Sequence, residues 1–167
     1  MSFSLMPRDK IRIRKARSND IREIFKVLSH AFKPYQQYYT EEAYRATVTS
    51  PHEIGKRIAE KETVVLVATQ NSKIVGTVSI TTINEENLHV RSMAVVPDHQ
   101  GGGVGWRILQ EIDELARKGN CRAITLECFE PLTKAVSLYE KSGFRRTGRK
   151  RSLYGSMVFE MVKRMKI

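Results

Sequence analysis

Cysteine, histidine and long apolar runs are all scarce in this sequence. Its two cysteines, Cys121 and Cys128, stand seven apart and belong to no C-x-x-C pair. No histidine cluster lies near them, so neither a disulfide framework nor a metal site is expected, and each is read as a small buried apolar residue. The purest apolar run, Val64 to Ala68, has five residues, against the roughly 20 that a membrane-spanning helix needs. The opening Met1-Ser2-Phe3-Ser4-Leu5-Met6-Pro7 turns charged without an apolar stretch. No signal peptide is therefore expected, and a reducing cytoplasm is the expected compartment. There are five prolines and ten glycines without a repeat, which excludes collagen-like and low-complexity chains. What remains is ordinary for a soluble globular protein: 167 residues, 41% hydrophobic and 28% charged. One domain over 1–167 is expected, large enough to bury a core without disulfides or metals.

Acid is also scarce at the two ends. The net charge is +11, yet residues 18–142 are nearly neutral, with 15 basic and 16 acidic side chains. Residues 1–17 carry six basic groups and one acid, and 143–167 carry eight and one. Arg145, Arg146, Arg149, Lys150 and Arg151 crowd into seven positions. Such a field attracts polyanions, and it is equally what solvated strand faces look like. No helix-turn-helix spacing, zinc-finger pattern or aromatic RNA-binding signature accompanies it, so nucleic acid is admitted as a partner but not favoured. A homodimer is compatible with the sequence.

Periodicity supplies the elements. Ile11-Arg12-Ile13-Arg14 alternates as a strand with one wet face. Ser18-Asn19-Asp20 offers a helix cap before Ile21, Ile24, Phe25, Leu28 and Phe32 at helical spacing. The tyrosine-rich 33–39 breaks that helix, and a second helical region spans Thr40 to about Glu62, interrupted near Ser50-Pro51. Val64–Thr69 and Lys73–Thr81 form a hairpin about Asn71-Ser72, and Leu88–Val96 is a further strand stopped by Pro97. After Gly101-Gly102-Gly103-Val104-Gly105 a helix presents Val104, Ile108, Ile112, Leu115 and Ala116, ending at Gly119. Ala123–Phe129 is a strand. A helix follows, with Pro131 in its first turn and Leu132, Ala135, Val136 and Tyr139 as its stripe. Phe144–Arg149 and Met157–Lys163 close the chain as strands. The order β-α-α-β-β-β-α-β-α-β-β predicts an α/β domain with a mixed sheet covered by helices.

A strand that runs through Pro97 into a glycine cluster and then a helix can build an anion cradle. The helix start exposes unpaired N–H groups at the positive end of its dipole, and glycines let those amides approach a phosphate. The Walker pattern is absent, since no Lys-Ser/Thr follows the glycines, and G-x-G-x-x-G fails at Trp106 and Ile108. A tight turn without a ligand is the other reading of a bare glycine cluster.

Gln100-Gly101-Gly102-Gly103-Val104-Gly105 resembles the [RQ]-x-x-G-x-[GA] loop of the GNAT superfamily, the acyl-CoA-dependent N-acetyltransferases. Upstream, Arg91-Ser92-Met93-Ala94-Val95-Val96-Pro97 is similar to the cofactor strand of that family. Downstream, Ala135 to Phe144 resembles its A-x-x-L-Y-x-x-x-G-F segment. The resemblance covers nearly the whole chain and implies a mainly antiparallel central sheet. Leu132 stands where many members carry a cofactor-contacting Asn, with Glu130 or Thr133 as possible substitutes.

The resemblance implies acetyl-CoA as donor and a primary amine as acceptor. It places the pyrophosphate on Gln100, Gly101, Gly102, Gly103, Val104, Gly105 and Trp106, and the pantetheine along the backbones of Met93, Ala94 and Val95. Tyr139 falls at the family's general-acid position, and periodicity alone would make it a core tyrosine. His89 lies where some members place a catalytic carboxylate. It is read as a base or as a part-buried strand histidine, with Glu85 or Glu86 acting through water as the alternative base. The acceptor side is expected at Phe32, Tyr35, Tyr38, Tyr39 and Tyr154, aromatics that cage an amine or serve as core. The basic termini argue against a lysine-rich acceptor.

Overall fold

The computed structural model describes residues 10–166. Met1–Pro7, on which the absence of a leader was read, lies outside them, as do Arg8 and Asp9 of the N-terminal basic cluster. Seven strands form one sheet: β1 (Arg12–Lys15), β2 (Thr63–Gln70), β3 (Lys73–Ile83), β4 (Asn87–Val95), β5 (Ala123–Phe129), β6 (Arg145–Leu153) and β7 (Ser156–Arg164). Their order is β1-β2-β3-β4-β5-β7-β6. Only β4 and β5 pair in parallel; every other pairing is antiparallel. The β2–β3 hairpin closes as expected at Asn71 and Ser72, both with positive φ (54° and 63°), the pair of left-handed residues that suits the strand twist.

Helices cover both faces. On one lie α1 (Ile21–Phe32), α2 (Glu41–Thr47) and α3 (Pro51–Ala59). Thr40 and Ser50 cap α2 and α3, each side chain accepting from the backbone N–H three residues on. Ser50-Pro51 thus splits the second helical region, as its sequence implies. Ile24, Val27, Leu28 and Ile54 pack there on Val65 and Val67. On the other face α4 (Val104–Lys118) buries Val104, Ile108, Leu109, Ile112 and Ala116, while Leu115 is only partly buried. Burying each large apolar side chain contributes roughly 1.5–3 kcal/mol. Gly76 on β3 lets α4 approach: an added Cβ would stand 3.1 Å from both Ile108 and Val104. Lys163 on β7 holds Asp113 of α4 through two bonds of 3.0 and 2.8 Å. α5 (Thr133–Lys141) completes this layer. Cys121 and Cys128 are free and buried. Among the described residues no helix is long and apolar enough to cross a membrane.

Two local expectations are corrected. Asp20 does not cap α1 with its side chain; its carboxylate turns back to accept from Arg14 at 2.7 and 3.1 Å and from the Arg17 amide at 2.7 Å. The guanidinium is the stronger donor, so it wins the carboxylate from the helix amides. Pro131 precedes α5 rather than opening it. Leu132 is the capping residue, and the Thr133 amide donates to the Pro131 carbonyl at 2.9 Å.

Candidate active site

The sheet opens between its two parallel strands. β4 and β5 pair over four residues only, from Asn87↔Ala123 to Val90↔Leu126. Beyond that point β5 continues on β7, and β4 continues on β3 through a bulge. Three steps of β4, Arg91 to Ala94, span two of β3, Ser79 to Thr77. Ser92 takes a φ of +53° inside that bulge. A bulge bends and twists its strand, and here it steers β4 away from β5. Val96 donates to Val75 of β3, so alternation turns the backbone groups of Val95 and Met93 toward the open edge. The Val95 carbonyl is taken there by Gln100 Nε2 at 2.9 Å, which ties the glycine loop to the strand.

The loop then enters α4. Gly101 and Gly103 have φ of +82° and +91°, a conformation that L side chains rarely adopt. Gly103 immediately precedes the helix. Gly105 has a different reason to be glycine: a Cβ would fall 2.7 Å from Leu138 Cδ2 on α5. Val104 is buried in the core, so only its amide is available at the helix start, whereas the Trp106 side chain is 44% exposed.

A cleft of about 1230 Å³ runs through the opening. Of the residues expected to meet there, it is lined by Phe32, Tyr35, Tyr39, His89, Met93, Ala94, Val95, Gln100, Gly101, Gly105, Tyr139 and Tyr154. Tyr38 is corrected: it is 54% exposed and does not line the cleft. The turn Lys33–Tyr38 carries Tyr35 inward and Tyr38 outward. Gly102, Gly103, Val104 and Trp106 lie outside the lining. Leu132 lines it, in the position of the family Asn, and so does Thr133, whereas Glu130 pairs with Arg146 at 2.9 Å.

One wall of the cleft joins distant parts of the chain. Thr40 donates from Oγ1 to the Tyr154 carbonyl at 2.5 Å, and its amide donates to Ser156 Oγ at 3.1 Å. The connection after α1 is thereby fastened to the β6–β7 turn. Tyr39 stacks obliquely on Phe129 with centroids 4.2 Å apart. Tyr139 meets Phe144 edge to face at 5.8 Å.

The titratable groups are tuned mainly by burial. Burial pushes the Tyr139 phenol above its ordinary value, with Cys128 and Tyr39 adding to the shift. The Tyr39 phenol is raised for the same first reason, and the Cys128 thiol is pushed up to about 11. Burial lowers His89, and the nearby Glu127 carboxylate opposes that shift. His89 Nδ1 lies 2.8 Å from Thr125 Oγ1. Glu127 is engaged by Arg151 in a two-pronged pair at 2.5 and 2.6 Å. Thr125, Glu127 and Arg57 had no signal in the sequence, because their proximity to the cleft comes from strand pairing and helix docking. No group of three His, Cys, Asp or Glu residues suited to a metal occurs among the described residues.

The family model of the acetyltransferase (GNAT) family matches residues 21–144. The chain belongs to that family. The GNAT chain is 28% identical over 145 residues to the mouse (Mus musculus) thialysine N-epsilon-acetyltransferase, covering 79% of this chain and 82% of the relative. It is 23% identical over 137 residues to the N-acetyltransferase YhfO of Bacillus subtilis, covering 79% and 88%. Among solved structures, the PaiA N-acetyltransferase of Thermoplasma acidophilum in complex with coenzyme A superposes with a TM-score of 0.78 at 21% identity, over 93% of this chain and 99% of that one. The ribosomal-protein-S18-alanine N-acetyltransferase of Escherichia coli gives 0.76 at 17% identity, over 95% and 96%. These likenesses establish the GNAT fold.

Proposed function

We propose that this protein transfers an acetyl group from acetyl-CoA to a primary amine by direct attack in a ternary complex. The observation that carries the reading is the continuity of the open β4 edge with the glycine turn at the start of α4. The pantetheine arm adds to Met93, Ala94 and Val95 as an extra strand would. The pyrophosphate rests on amides of the 101–106 segment, where helix dipole and unpaired N–H groups favour an anion. Gln100 keeps strand and loop in register, and Trp106 contributes its amide rather than its ring.

Attack needs a neutral amine, and an amine near pKa 10 is mostly protonated at neutral pH. His89 takes that proton. Its lowered pKa keeps it neutral at pH 7, and in the tautomer whose Nδ1–H faces Thr125 Oγ1, Nε2 carries the free lone pair. Tyr139 gives a proton to the departing CoA thiolate, and its raised pKa holds the phenol protonated until then. Phe32, Tyr35, Tyr39 and Tyr154 shape the acceptor side. Two unpaired thiols suit a reducing, cytoplasmic location.

A second reading is a CoA-binding or nucleic-acid-associated module without turnover. It is favoured by β6, where eight of nine residues are exposed and five are Arg or Lys. Thiol release from acetyl-CoA across a panel of amines and peptides tests the first reading, beside DNA binding at several salt concentrations. Release with at least one amine supports the transferase. DNA binding that falls steeply with salt, without release, supports the module.

A further inference from the structure

Arg57 projects from α3 into the same cleft. Its Nη1 donates to Ser92 Oγ at 2.9 Å and to Ser79 Oγ at 3.3 Å. Ser92 is the bulge residue beside the open edge of Met93–Val95, so this guanidinium is anchored next to the strand expected to hold the thioester. An arginine carries five N–H donors in a planar fork. Both bonds made by Arg57 use Nη1, which leaves Nε and Nη2 without a partner among the described residues.

Of the other cations of the cleft wall, two are neutralised within the protein. Arg45 pairs with Glu41, and Arg151 with Glu127. Arg57, Arg91, Lys134 and Lys141 also line the cleft, and none of them forms an ion pair among the described residues; Arg57 alone is anchored beside the Ser92 bulge, and Arg91 reaches only Thr81 Oγ1, at 3.4 Å. The acids closest along α3 are engaged: Glu53 with Lys56 at 3.5 Å, and Glu60 with the Thr63 hydroxyl at 2.8 Å. Burial, then the like charge of Arg91, lowers the Arg57 pKa to about 10, against opposing contributions from Glu53 and Glu60. The group is still charged at neutral pH. A part-buried charge without a counter-ion is costly, and an anion arriving with the substrate would relieve it.

We propose that Arg57 is a specificity residue that receives a carboxylate of the acceptor, so that the substrate is a small amino acid-like amine. The Nε–Nη2 edge offers the two parallel N–H groups that a carboxylate takes in a fork, and Arg91 adds positive charge beside it. Polyamines and lysine-rich tails are disfavoured by the same field. The proposal rests on the transferase reading.

The test uses matched acceptors, each amino acid against its own carboxamide (glycine, β-alanine, lysine), with thiol release followed at saturating acetyl-CoA. The wild type is expected to favour the carboxylate member by roughly 10-fold or more in kcat/KM, the usual scale of a hydrogen bond to a charged group. Arg57→Gln is expected to remove that preference through the acceptor KM while the acetyl-CoA KM stays put. Arg57→Lys, which keeps the charge but not the fork, is expected to restore part of it. Equal rates on both members, a preference that survives in Arg57→Gln, or a joint rise of both KM values overturns the proposal. Calorimetry of the CoA-loaded wild type with an N-acetyl amino acid and its amide needs no variant and no turnover. Tighter binding of the acid supports the proposal, and equal or absent binding of both overturns it. A protein that binds CoA yet ignores the carboxylate refutes only this inference, whereas one that binds no CoA refutes the transferase reading.

Discussion

Replacing Tyr139 by Phe separates the chemistry of this residue from its packing. The side chain is 8% exposed and its ring packs on Phe144, contacts that phenylalanine keeps. Its hydroxyl forms no hydrogen bond with any described residue, so the variant loses no internal bond. The expected change in stability is therefore within about 1 kcal/mol. If the phenol protonates the CoA thiolate, turnover falls about 10²- to 10⁴-fold. A hundredfold loss corresponds to about 2.7 kcal/mol of transition-state stabilisation, well above any packing effect. Three measurements decide it: a thermal melt, calorimetric titration with CoA, and thiol release. The expected pattern is an unchanged melt, unchanged CoA affinity and a collapsed kcat. The pH profile adds a sign. An acid whose pKa is raised stays protonated past the ordinary tyrosine value near 10, so the wild type should show no alkaline decline from this group below that pH. Turnover of the variant within about threefold of wild type would refute the assignment and leave Tyr139 a core residue.

The acid limb of kcat/KM should inflect below the ordinary histidine value of about 6.5, because burial lowers His89. His89→Gln should erase that limb and cut the rate about 100-fold; a limb that persists in the variant would move the base elsewhere, with Glu85 and Glu86 the next residues to replace. In the loop, Gly103→Ala meets no atom within 4 Å but must hold a φ of +91°, at about 1–2 kcal/mol, read as a lower melting temperature or roughly 10-fold weaker CoA binding. Gly102→Ala, whose Cβ would make only an ordinary 3.5 Å contact with the His99 carbonyl, is the control for folding and should leave the melting temperature unchanged. Asp20→Asn should destabilise the protein by roughly 1.5–3 kcal/mol at pH 7, measured by denaturant titration. Arg14 lowers the Asp20 pKa in the folded state, so its contribution is present above the unfolded carboxylate value and fades as pH falls through the folded one. The difference between wild type and variant should shrink accordingly in acid.

The sequence by itself determined what depends on neighbours within a turn or a strand. The apolar run of β2, the stripe of α4 and the break at Ser50-Pro51 are short-range patterns, and the structure reproduces them. The glycine turn is equally local: a left-handed φ at Gly101 and Gly103 is a property of single residues, which is why the loop announced the family. Tertiary structure decided the rest. The bulge at Ser92 arises from how β4 registers on β3, and the opening beside it from where β5 stops following β4. Tyr35 and Tyr38 are alike on paper, but only the docked turn turns one into the cleft and the other to solvent. Thr40 meets Tyr154 across 114 positions, and Arg57 meets Ser92 across 35. Such pairings carry no periodic trace in the chain, because the free energy that selects them comes from packing whole elements together rather than from the propensity of any one of them.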